Sequence, residues 1–393
     1  MKARALIPFT TLVLVTTGSC RDAPEPFVPP EREPPTERSW RLTFNPGDDR
    51  APTWSTDGER VIYSAAEFED TAATPGLLLS IPFLGGTGAR VFPDVQTDTG
   101  PPRWLTTPAA DPAGERLLFA QIIRIFGETI CGEWVIDCDA AFRPEHNAPL
   151  LAQVTLRVRR FDASGALVDD PSTEVEFEGR FFDGIPNPIG VPGVWQIQYF
   201  PFHQAYVEDS TQIYRPTWSA DGRVAFSDGL GIHIWDPASG SVTEVPGTAD
   251  GVTPAWSPNG EWIAYTRLER LGSQSGFCRH LLIAGADTTV ACAEQRTVYA
   301  TGRRILSLIR PDGSDPRELG DGEEPAWSPD GGIIYYRRNG AIWRASLAGD
   351  EPTAVPDTEG GREPAASPDG RHLAYARRDP EGRYDIWIAS LQP

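Results

Sequence analysis

The chain has little of what catalytic and metal centres are commonly built from. Its five histidines are scattered, and no His-Glu-x-x-His grouping occurs, which excludes the common zinc-peptidase motif. No Gly-x-Ser-x-Gly sequence occurs either, which excludes the nucleophile elbow of the α/β-hydrolases. The sequence therefore predicts no catalytic residue and no resident metal, and a binding protein is favoured over an enzyme.

Positive charge is scarce, and long apolar runs are missing from most of the chain. There are 55 acidic and 35 basic residues, a formal net charge of −20. Such a charge disfavours nucleic acid and anionic lipid as partners and favours basic ones. Since no segment is apolar over the length of a bilayer span, membrane contact is expected only through an anchor.

The first twenty residues predict export. Two basic residues precede the apolar segment 5–15, which has the length of a signal-peptide core. The segment ends in Thr17-Gly-Ser-Cys20, which resembles a bacterial lipobox with Thr in place of the usual Leu, and this implies lipidation of Cys20. The alternative is an ordinary signal peptide with a chance cysteine. Arg21 after the cysteine favours the outer membrane as the site of anchoring.

Residues 21–39 predict a tether between the anchor and a folded body. They hold six prolines and eight charged residues, with little to bury. At a polyproline-like rise they would extend on the order of 50–60 Å. The remaining residues, 40–393, are numerous enough for one domain with a large core.

The other four cysteines form two local pairs, Cys131 with Cys138 and Cys278 with Cys292. In an exported protein, two disulfides are the natural interpretation. The alternative is a zinc site with four cysteine ligands, which the spacing disfavours because neither pair is Cys-x₂-Cys.

One short motif, close to Pro-x-Trp-Ser-Pro-Asp-Gly, occurs six times. The copies are Pro52–Gly58, Pro108–Gly114, Pro216–Gly222, Pro254–Gly260, Pro325–Gly331 and Pro364–Gly370. Ser-Pro-Asp-Gly suits a type I turn closed by a glycine with positive φ, so each copy predicts a hairpin. A third and a fourth short strand follow in each unit. Four antiparallel strands per unit predict the blade of a β-propeller.

The fold is therefore predicted to be all-β, a six-bladed β-propeller of four-stranded antiparallel blades. The 108 residues between Gly114 and Gly222 leave room for a degenerate blade, so seven blades is the alternative. The last unit has three strands before the chain ends, and Trp40–Phe44 resembles a fourth strand. We expect this N-terminal strand to pair with the last blade and close the ring.

The repeats resemble those of the TolB-type six-bladed propellers over about residues 40–391. The resemblance rests on the Pro-x-Trp-Ser-Pro-Asp-Gly motif and on third strands with Asp-Ile-Trp, as at Asp385–Trp387. The resemblance implies the fold, and it implies no activity. TolB itself also carries an N-terminal α/β domain, for which this chain has no room, so its role is not expected to carry over.

Three insertions, at residues 122–149, 180–214 and 268–302, are predicted on one face of the ring. Each falls between strands two and three of a blade or between two blades, and such loops share a face. Because binding sites lie on loops held by rigid strands, we expect binding at this decorated face. Trp195 and His203 lie in an aromatic stretch of the second insertion, which either recognises a ligand or caps the channel.

Acidic residues of the interblade loops are predicted at the same face. The candidate binding residues among them are Asp48, Asp49, Asp250, Asp321, Glu323 and Glu324. A solvated acidic rim is the favoured interpretation, since acids are common in this chain. The alternative is that several of these oxygens converge on Ca²⁺ at the channel mouth.

The sequence thus predicts a monomeric cell-envelope lipoprotein whose propeller binds an envelope protein or a small ligand without catalysis. The alternative hypothesis is a metal-dependent propeller hydrolase or lyase that acts on a lactone or an acidic sugar at the channel mouth.

Overall fold

The structure, a computed structural model, describes residues 38–45, 47–65, 77–91, 103–125, 151–161, 167–168, 174–179, 215–229, 231–281 and 289–392. Its secondary structure consists of strands, and these residues contain no helix long and apolar enough to cross a membrane. The predicted all-β class is confirmed.

The described strands form six antiparallel sheets, one for each copy of the motif. The early strands are β1 (Ser39–Arg41), β2 (Asp49–Trp54), β3 (Arg60–Ala65), β4 (Leu77–Pro82), β5 (Ala89–Arg90), β6 (Arg103–Ala110), β7 (Arg116–Ile125), β8 (Leu151–Phe161), β9 (Leu167–Val168) and β10 (Glu174–Gly179). The middle strands are β11 (Thr217–Trp218), β12 (Val224–Ser227), β13 (Ile232–Asp236), β14 (Ser241–Glu244), β15 (Gly251–Trp256), β16 (Ile263–Leu281), β17 (Thr289–Ile309) and β18 (Arg317–Asp321). The last strands are β19 (Glu323–Trp327), β20 (Ile333–Arg338), β21 (Ala341–Ser346), β22 (Thr353–Ala354), β23 (Gly361–Ala366), β24 (His372–Arg378) and β25 (Tyr384–Ser390).

Blades one to five follow the chain in order, starting from β2, β6, β11, β15 and β19. In blade two both β9 and β10 pair with β8. Blade six has the order β1-β25-β24-β23, so its outermost strand comes from the N-terminal part of the chain. Six blades are confirmed, and the seven-blade alternative is wrong.

The first and last strands close the ring as predicted. β1 pairs antiparallel with β25, with Trp40 opposite Ile388. The Ile386 backbone N–H donates to the Thr43 hydroxyl at 2.9 Å, just beyond the paired segment. Trp40 and Leu42 are both buried in the cluster between blades six and one. Closure therefore joins residues more than 340 positions apart through both hydrogen bonds and core packing.

A serine closes the hairpin in five of the six motifs, and Asp111 takes its place in the second copy. In the last copy the Gly370 N–H donates to the Ser367 carbonyl at 2.9 Å, and Gly370 has a φ of 69°. The His372 N–H donates to the Ser367 hydroxyl at 2.9 Å, and that hydroxyl donates to Asp369 at 2.6 Å. Ser, Asp and Gly thus each stabilise the turn, which explains why this part of the motif repeats.

The repeated tryptophans belong to the core, as the sequence predicts. Trp54, Trp218, Trp256 and Trp327 are all less than 9% exposed. Three of them donate the indole N–H to an inner-strand carbonyl of the preceding blade. These bonds are Trp54 to Ala365 (2.9 Å), Trp218 to Ala109 (3.0 Å) and Trp327 to Ala255 (2.9 Å). The tryptophans therefore hold neighbouring blades together.

The strand order defines two ends of the ring. Because the strands alternate in direction, the loops from strand two to three and those between blades share one end, which is the decorated face. The turns from strand one to two and from three to four lie at the other end, the short-turn face. β7 ends and β8 begins at the decorated face, β10 leads into blade three there, and β16 and β17 extend from it as one long hairpin. All three insertions therefore start and end at this face.

In the long hairpin the cysteines of the second pair lie next to paired backbone positions, at a point where the register shifts. Arg279 lies opposite Ala291, and the adjacent positions on the two strands are Cys278 and Cys292. The disulfide between them stays a prediction. Cys131, Cys138 and Cys20 lie outside the described residues.

Candidate binding site at the channel mouth

In five of the six blades the inner strand has an irregularity just before the repeated proline. Five of the six residues that precede a proline have positive φ, although this conformation is rare for residues other than glycine. They are Ala51 (52°), Thr107 (48°), Thr253 (49°), Glu324 (56°) and Glu363 (55°). In the same five blades the pairing of strands one and two is shifted at this point, which is a β-bulge. These five residues, with Arg215 in blade three, form what we call the pre-proline ring.

The two glutamates of the pre-proline ring connect consecutive blades. Glu324 of blade five accepts the Glu363 backbone N–H at 2.7 Å, and Glu363 of blade six accepts the Ala51 backbone N–H at 2.7 Å. A side chain at this position therefore reaches the equivalent residue of the next blade. In blade four the same link is indirect, since Thr266 accepts the Glu324 N–H at 3.0 Å and contacts Thr253 at 2.8 Å.

Both glutamates are also ion-paired with buried arginines. Arg50 donates from Nε to Glu363 at 2.9 Å and contacts it through Nη2 as well. Arg362 donates from Nη2 to Glu324 at 2.7 Å, and its Nε lies 3.5 Å from Glu363. None of the four side chains is more than 5% exposed. Removing one partner of such a pair leaves an uncompensated buried charge, so the loss of any one of these side chains is expected to destabilise the folded protein.

The field of the cluster keeps Glu324 ionised. Burial opposes ionisation of this carboxylate, but Arg362 and Arg337 outweigh it and lower its pKa below the ordinary value. Tyr384 completes the cluster from blade six, with its ring 4.5 Å from the Arg50 guanidinium carbon and its hydroxyl 3.1 Å from Arg362. A protein whose only lysine is Lys2 uses guanidinium groups throughout, which suits buried pairs.

Arg215 crosses the central channel. Its Nη2 donates at 2.9 Å to the carbonyl oxygen of Pro364. Arg215 belongs to blade three and Pro364 to blade six, which stand opposite each other in a ring of six. Burial lowers the pKa of Arg215, while the nearby carboxylates of Glu363 and Glu324 raise it. The side chain therefore lies across the channel beside the charge cluster, and together they form the channel mouth.

A second group of buried acids lies at the seam between blades one and six. Asp49 is fully buried, and burial raises its pKa to about 8 against the hydrogen bonds from Thr43 and Asn45. Burial likewise raises the pKa of Asp385 to about 6, although Arg41 lies 2.8 Å away. Asp48 accepts the backbone N–H of Tyr384 at 2.7 Å. These acids lie in the contact between blades one and six, where the ring closes, and Asp48 and Asp385 each bind across it.

The predicted solvated rim is wrong for three of the six candidate acids. Asp48, Asp49 and Glu324 are at most 9% exposed because the neighbouring blade covers the start of each inner strand. Glu323 is 14% exposed and pairs with Arg304 and, at 2.5 Å, with Arg337.

Two candidate acids lie further out on the decorated face. Asp321 is 53% exposed and pairs with Arg303, as expected of a rim residue. Asp250 is half-buried, with a φ of 63°, in the loop before blade four. Trp195 and His203 lie outside the described residues.

Sequence reasoning missed Arg50, Thr107, Arg215 and Arg362. The signal was available, since all of them lie one or two positions before a repeated proline. An alignment of the six repeats shows a charged residue directly before the proline in three of them, namely Arg215, Glu324 and Glu363. No group of three or more His, Cys, Asp or Glu side chains in the described part of the chain could hold a metal ion.

No family model and no curated protein matches this sequence. Similar solved structures include a TolB-like protein of Agrobacterium tumefaciens, with 14% identity and a TM-score of 0.43 over 90% of this chain and 97% of that one. TolB of Acinetobacter baumannii has 13% identity and a TM-score of 0.37 over 85% of this chain and 67% of its own. An oligogalacturonate lyase of Vibrio parahaemolyticus has 13% identity and a TM-score of 0.41 over 89% and 80%. These similarities concern the propeller fold alone. The fold itself, a six-bladed propeller, follows from the repeats and the strand order.

Proposed function

We propose that this protein is an exported, lipid-anchored binding protein of the cell envelope, which recognises a protein or small ligand through its decorated face without catalysis. One observation carries the proposal. The three insertions begin and end at the decorated face, and the buried charge cluster lies at the same end of the ring. The described turns of the short-turn face are brief, apart from the connection between β8 and β10 in blade two, which contains β9.

The charge cluster supports a functional interpretation because the fold does not require it. Blades two and four have Thr107 and Thr253 at the ring positions where blades five and six have Glu324 and Glu363, with the same left-handed backbone. Uncharged residues therefore satisfy the blade geometry. Buried ion pairs seldom improve stability over apolar packing, so their presence at a channel mouth favours a role in recognition.

The proposed location rests on the first forty residues. A signal-peptide core, a lipobox-like Thr17-Gly-Ser-Cys20 and a proline-rich segment precede the closing strand. Lipidation of Cys20 would hold the propeller near a membrane through a tether, with the outer membrane favoured by Arg21.

The proposal is tested by shortening the long hairpin. Arg270 lies opposite Thr301, so residues 271–300 can be replaced by an Asn-Gly turn that keeps the blade intact. The matched control is Asp350→Ala with Glu351→Ala in an exposed turn of the short-turn face. Affinity capture from envelope extracts of the source cells is then compared for wild type, shortened protein and control, each with a verified melting temperature.

We expect the shortened protein to lose partners that the control retains. Equal capture by all three proteins, or loss in the control, would refute binding through the decorated face. The same purified protein distinguishes the binding hypothesis from the enzyme hypothesis. Stoichiometric Ca²⁺ in purified protein, together with turnover of a lactone or an oligouronide, would replace the present proposal.

A further inference from the structure

The connection from the closing strand β1 to blade one is held by a buried carboxylate. Asp49 is fully buried, and each of its oxygens accepts from the Asn45 side-chain amide at 2.9 Å. The Thr43 hydroxyl hydrogen-bonds Asp49 and also accepts the Ile386 backbone N–H of β25 at 2.9 Å. Asp49 is therefore linked through Thr43 to the strand with which β1 pairs.

An acid at this position departs from the pattern of the other blades. Asp49 lies three positions before the repeated proline, where blades four, five and six have Gly251, Gly322 and Gly361. A Cβ atom at any of these glycines would lie within 3.0 Å of a tyrosine ring of strand two. Blade two has the apolar Leu105 there. The acid thus occurs in the blade that follows the closing strand, and the blade geometry does not require it.

Asp49 is surrounded by other acids. Asp48 is adjacent in sequence and accepts the Tyr384 N–H, and Asp385 faces Asp49 from β25. Arg41 lies 2.8 Å from Asp385, but among the described residues no ion pair is formed by Asp48 or Asp49. Neighbouring buried carboxylates without a cation ionise together only at high cost, so one of them retains its proton. Burial accordingly raises the pKa of Asp49 to about 8.

Other titratable groups approach this contact from every strand around it. They are Arg41 of β1, Arg50 of β2, Tyr63 of β3, His372 and Tyr375 of β24, Asp379 and Arg383 of the following turn, and Tyr384 and Asp385 of β25. Arg50 binds Glu363, and the other two arginines pair with Asp379 and Asp385. These cations are therefore already matched by carboxylates.

Only Asp49 is expected to titrate at this contact between pH 6.5 and pH 8. Burial raises the pKa of Asp385 to about 6 and raises that of Tyr63 further above neutrality. His372, whose ring lies 6.0 Å from that of Trp40, acts in the opposite direction. Burial lowers its pKa from 6.5, so its protonation opposes the closed contact only below about pH 6.5.

We propose that the proton on Asp49 locks the closing strand, and that release of this proton to water lets β1 separate from β25 while the blades stay folded. The carboxyl group is neutral in the closed ring. When β1 and Thr43 detach, the group becomes hydrated and ionises, so opening is accompanied by the loss of one proton and is favoured as the pH rises. Since β1 is a three-residue edge strand near one end of the described chain, its detachment breaks fewer contacts than the unfolding of a blade.

The test is hydrogen exchange, read by mass spectrometry, on residues 21–393 between pH 6.5 and pH 8. Each rate is divided by the intrinsic exchange rate at that pH, which gives an opening constant. The reporter is the peptide that contains β1, in which the Leu42 and Thr43 amides donate to the Ile386 carbonyl. The reference is the peptide that contains β21 of blade five.

Two variants separate Asp49 from other acids. Asp49→Asn is isosteric and stays neutral at every pH. The matched control is Asp57→Asn in the exposed hairpin of the same blade. The Ser55 hydroxyl lowers the pKa of Asp57, so this acid is ionised throughout the range.

We expect the opening constant of β1 in wild type to rise about tenfold per pH unit, or about thirtyfold from pH 6.5 to pH 8, because one proton is lost on opening. Asp57→Asn should show the same rise, and Asp49→Asn should change less than about twofold. The reference in blade five should exchange at least about tenfold more slowly than β1 at every pH, because its opening requires more of the fold to unfold.

A constant opening constant in wild type, or the same rise in Asp49→Asn, would overturn the proposal. Equal exchange of β1 and blade five would overturn it as well, since the ring would then open only when the whole protein unfolds. Should Asp49→Asn fail to fold, trypsin cleavage after Arg41 in wild type decides. Its rate relative to a peptide substrate should show the same rise with pH, and a constant ratio would overturn the proposal. None of these outcomes affects capture through the long hairpin, so this proposal and the proposed function fail separately.

Discussion

Arg215 donates a hydrogen bond to the carbonyl oxygen of Pro364 across the channel, between blades that stand opposite each other. The bond spans 149 positions in sequence and fixes a guanidinium group beside two buried glutamates. The channel of this propeller is therefore a charged, hydrogen-bonded site at its decorated end.

Glu363 is expected to be the most sensitive residue of the cluster. Glu363→Ala leaves Arg50 and Arg362 buried without one of their carboxylates, which should cost about 3–5 kcal/mol of unfolding free energy. Alanine itself fits the backbone, since Ala51 has nearly the same φ at the equivalent position. Urea unfolding provides the measurement. Glu318→Ala, which breaks an exposed pair with Arg267, should cost less than about 1 kcal/mol, and equal costs would contradict the account.

Asp49 should make stability fall with rising pH. Burial raises its pKa to about 8 in the folded protein, against an ordinary value of 3.8. Between these values the folded state holds a proton that the unfolded state has released. The contribution of Asp49 to the free energy of unfolding is therefore fully present below about pH 4 and is lost as the pH rises to about 8. The slope is at most about 1.4 kcal/mol per pH unit.

Asp49→Asn should remove that slope, so its stability relative to wild type should increase from pH 4 to pH 8. Asp221 provides a contrast, because the hydrogen bond from Arg223 lowers its pKa to about 2. Asp221→Asn should leave the slope above pH 5 unchanged. Parallel stability curves for wild type and Asp49→Asn would show that Asp49 is ionised in the folded protein.

The N-terminal strand should contribute to folding as well as to localisation. Deleting residues 21–45 removes β1 and the buried side chains of Trp40 and Leu42. Burial of two such side chains is worth about 3–6 kcal/mol, so the melting temperature should fall clearly. Deleting residues 21–36, which leaves β1 in place, should have no effect. An unchanged melting temperature after the longer deletion would contradict closure by β1.

Two disulfides are expected, Cys131–Cys138 and Cys278–Cys292. For the second pair the register of β16 with β17 supports the pairing, since Arg279 lies opposite Ala291. Peptide mapping without reduction should recover both bonds. A bond between the two insertions would show instead that they contact each other.

Much of the fold was predictable because each blade is a local unit. The turn residues and the core tryptophans repeat along the sequence, and the closing strand supplies the strand that the last repeat lacks. The chemistry of the channel mouth was not, because its contacts join blades that are far apart in sequence. Glu324 was identified as an acid of the right loop, but its burial depends on Arg362, and Arg215 depends on Pro364.

The central claim is that binding occurs at the decorated face, and the near absence of lysine allows a direct test. Lys2 lies in the predicted signal peptide, so one introduced lysine is expected to direct an amine-reactive cross-linker to one place. Glu359→Lys puts it in an exposed interblade loop of the decorated face, and Asp350→Lys puts it in an exposed turn of the short-turn face. Cross-linking in intact cells, read by mass spectrometry, should yield a partner from Glu359→Lys that Asp350→Lys does not yield. The same partners from both positions, or partners from Asp350→Lys alone, would contradict the account.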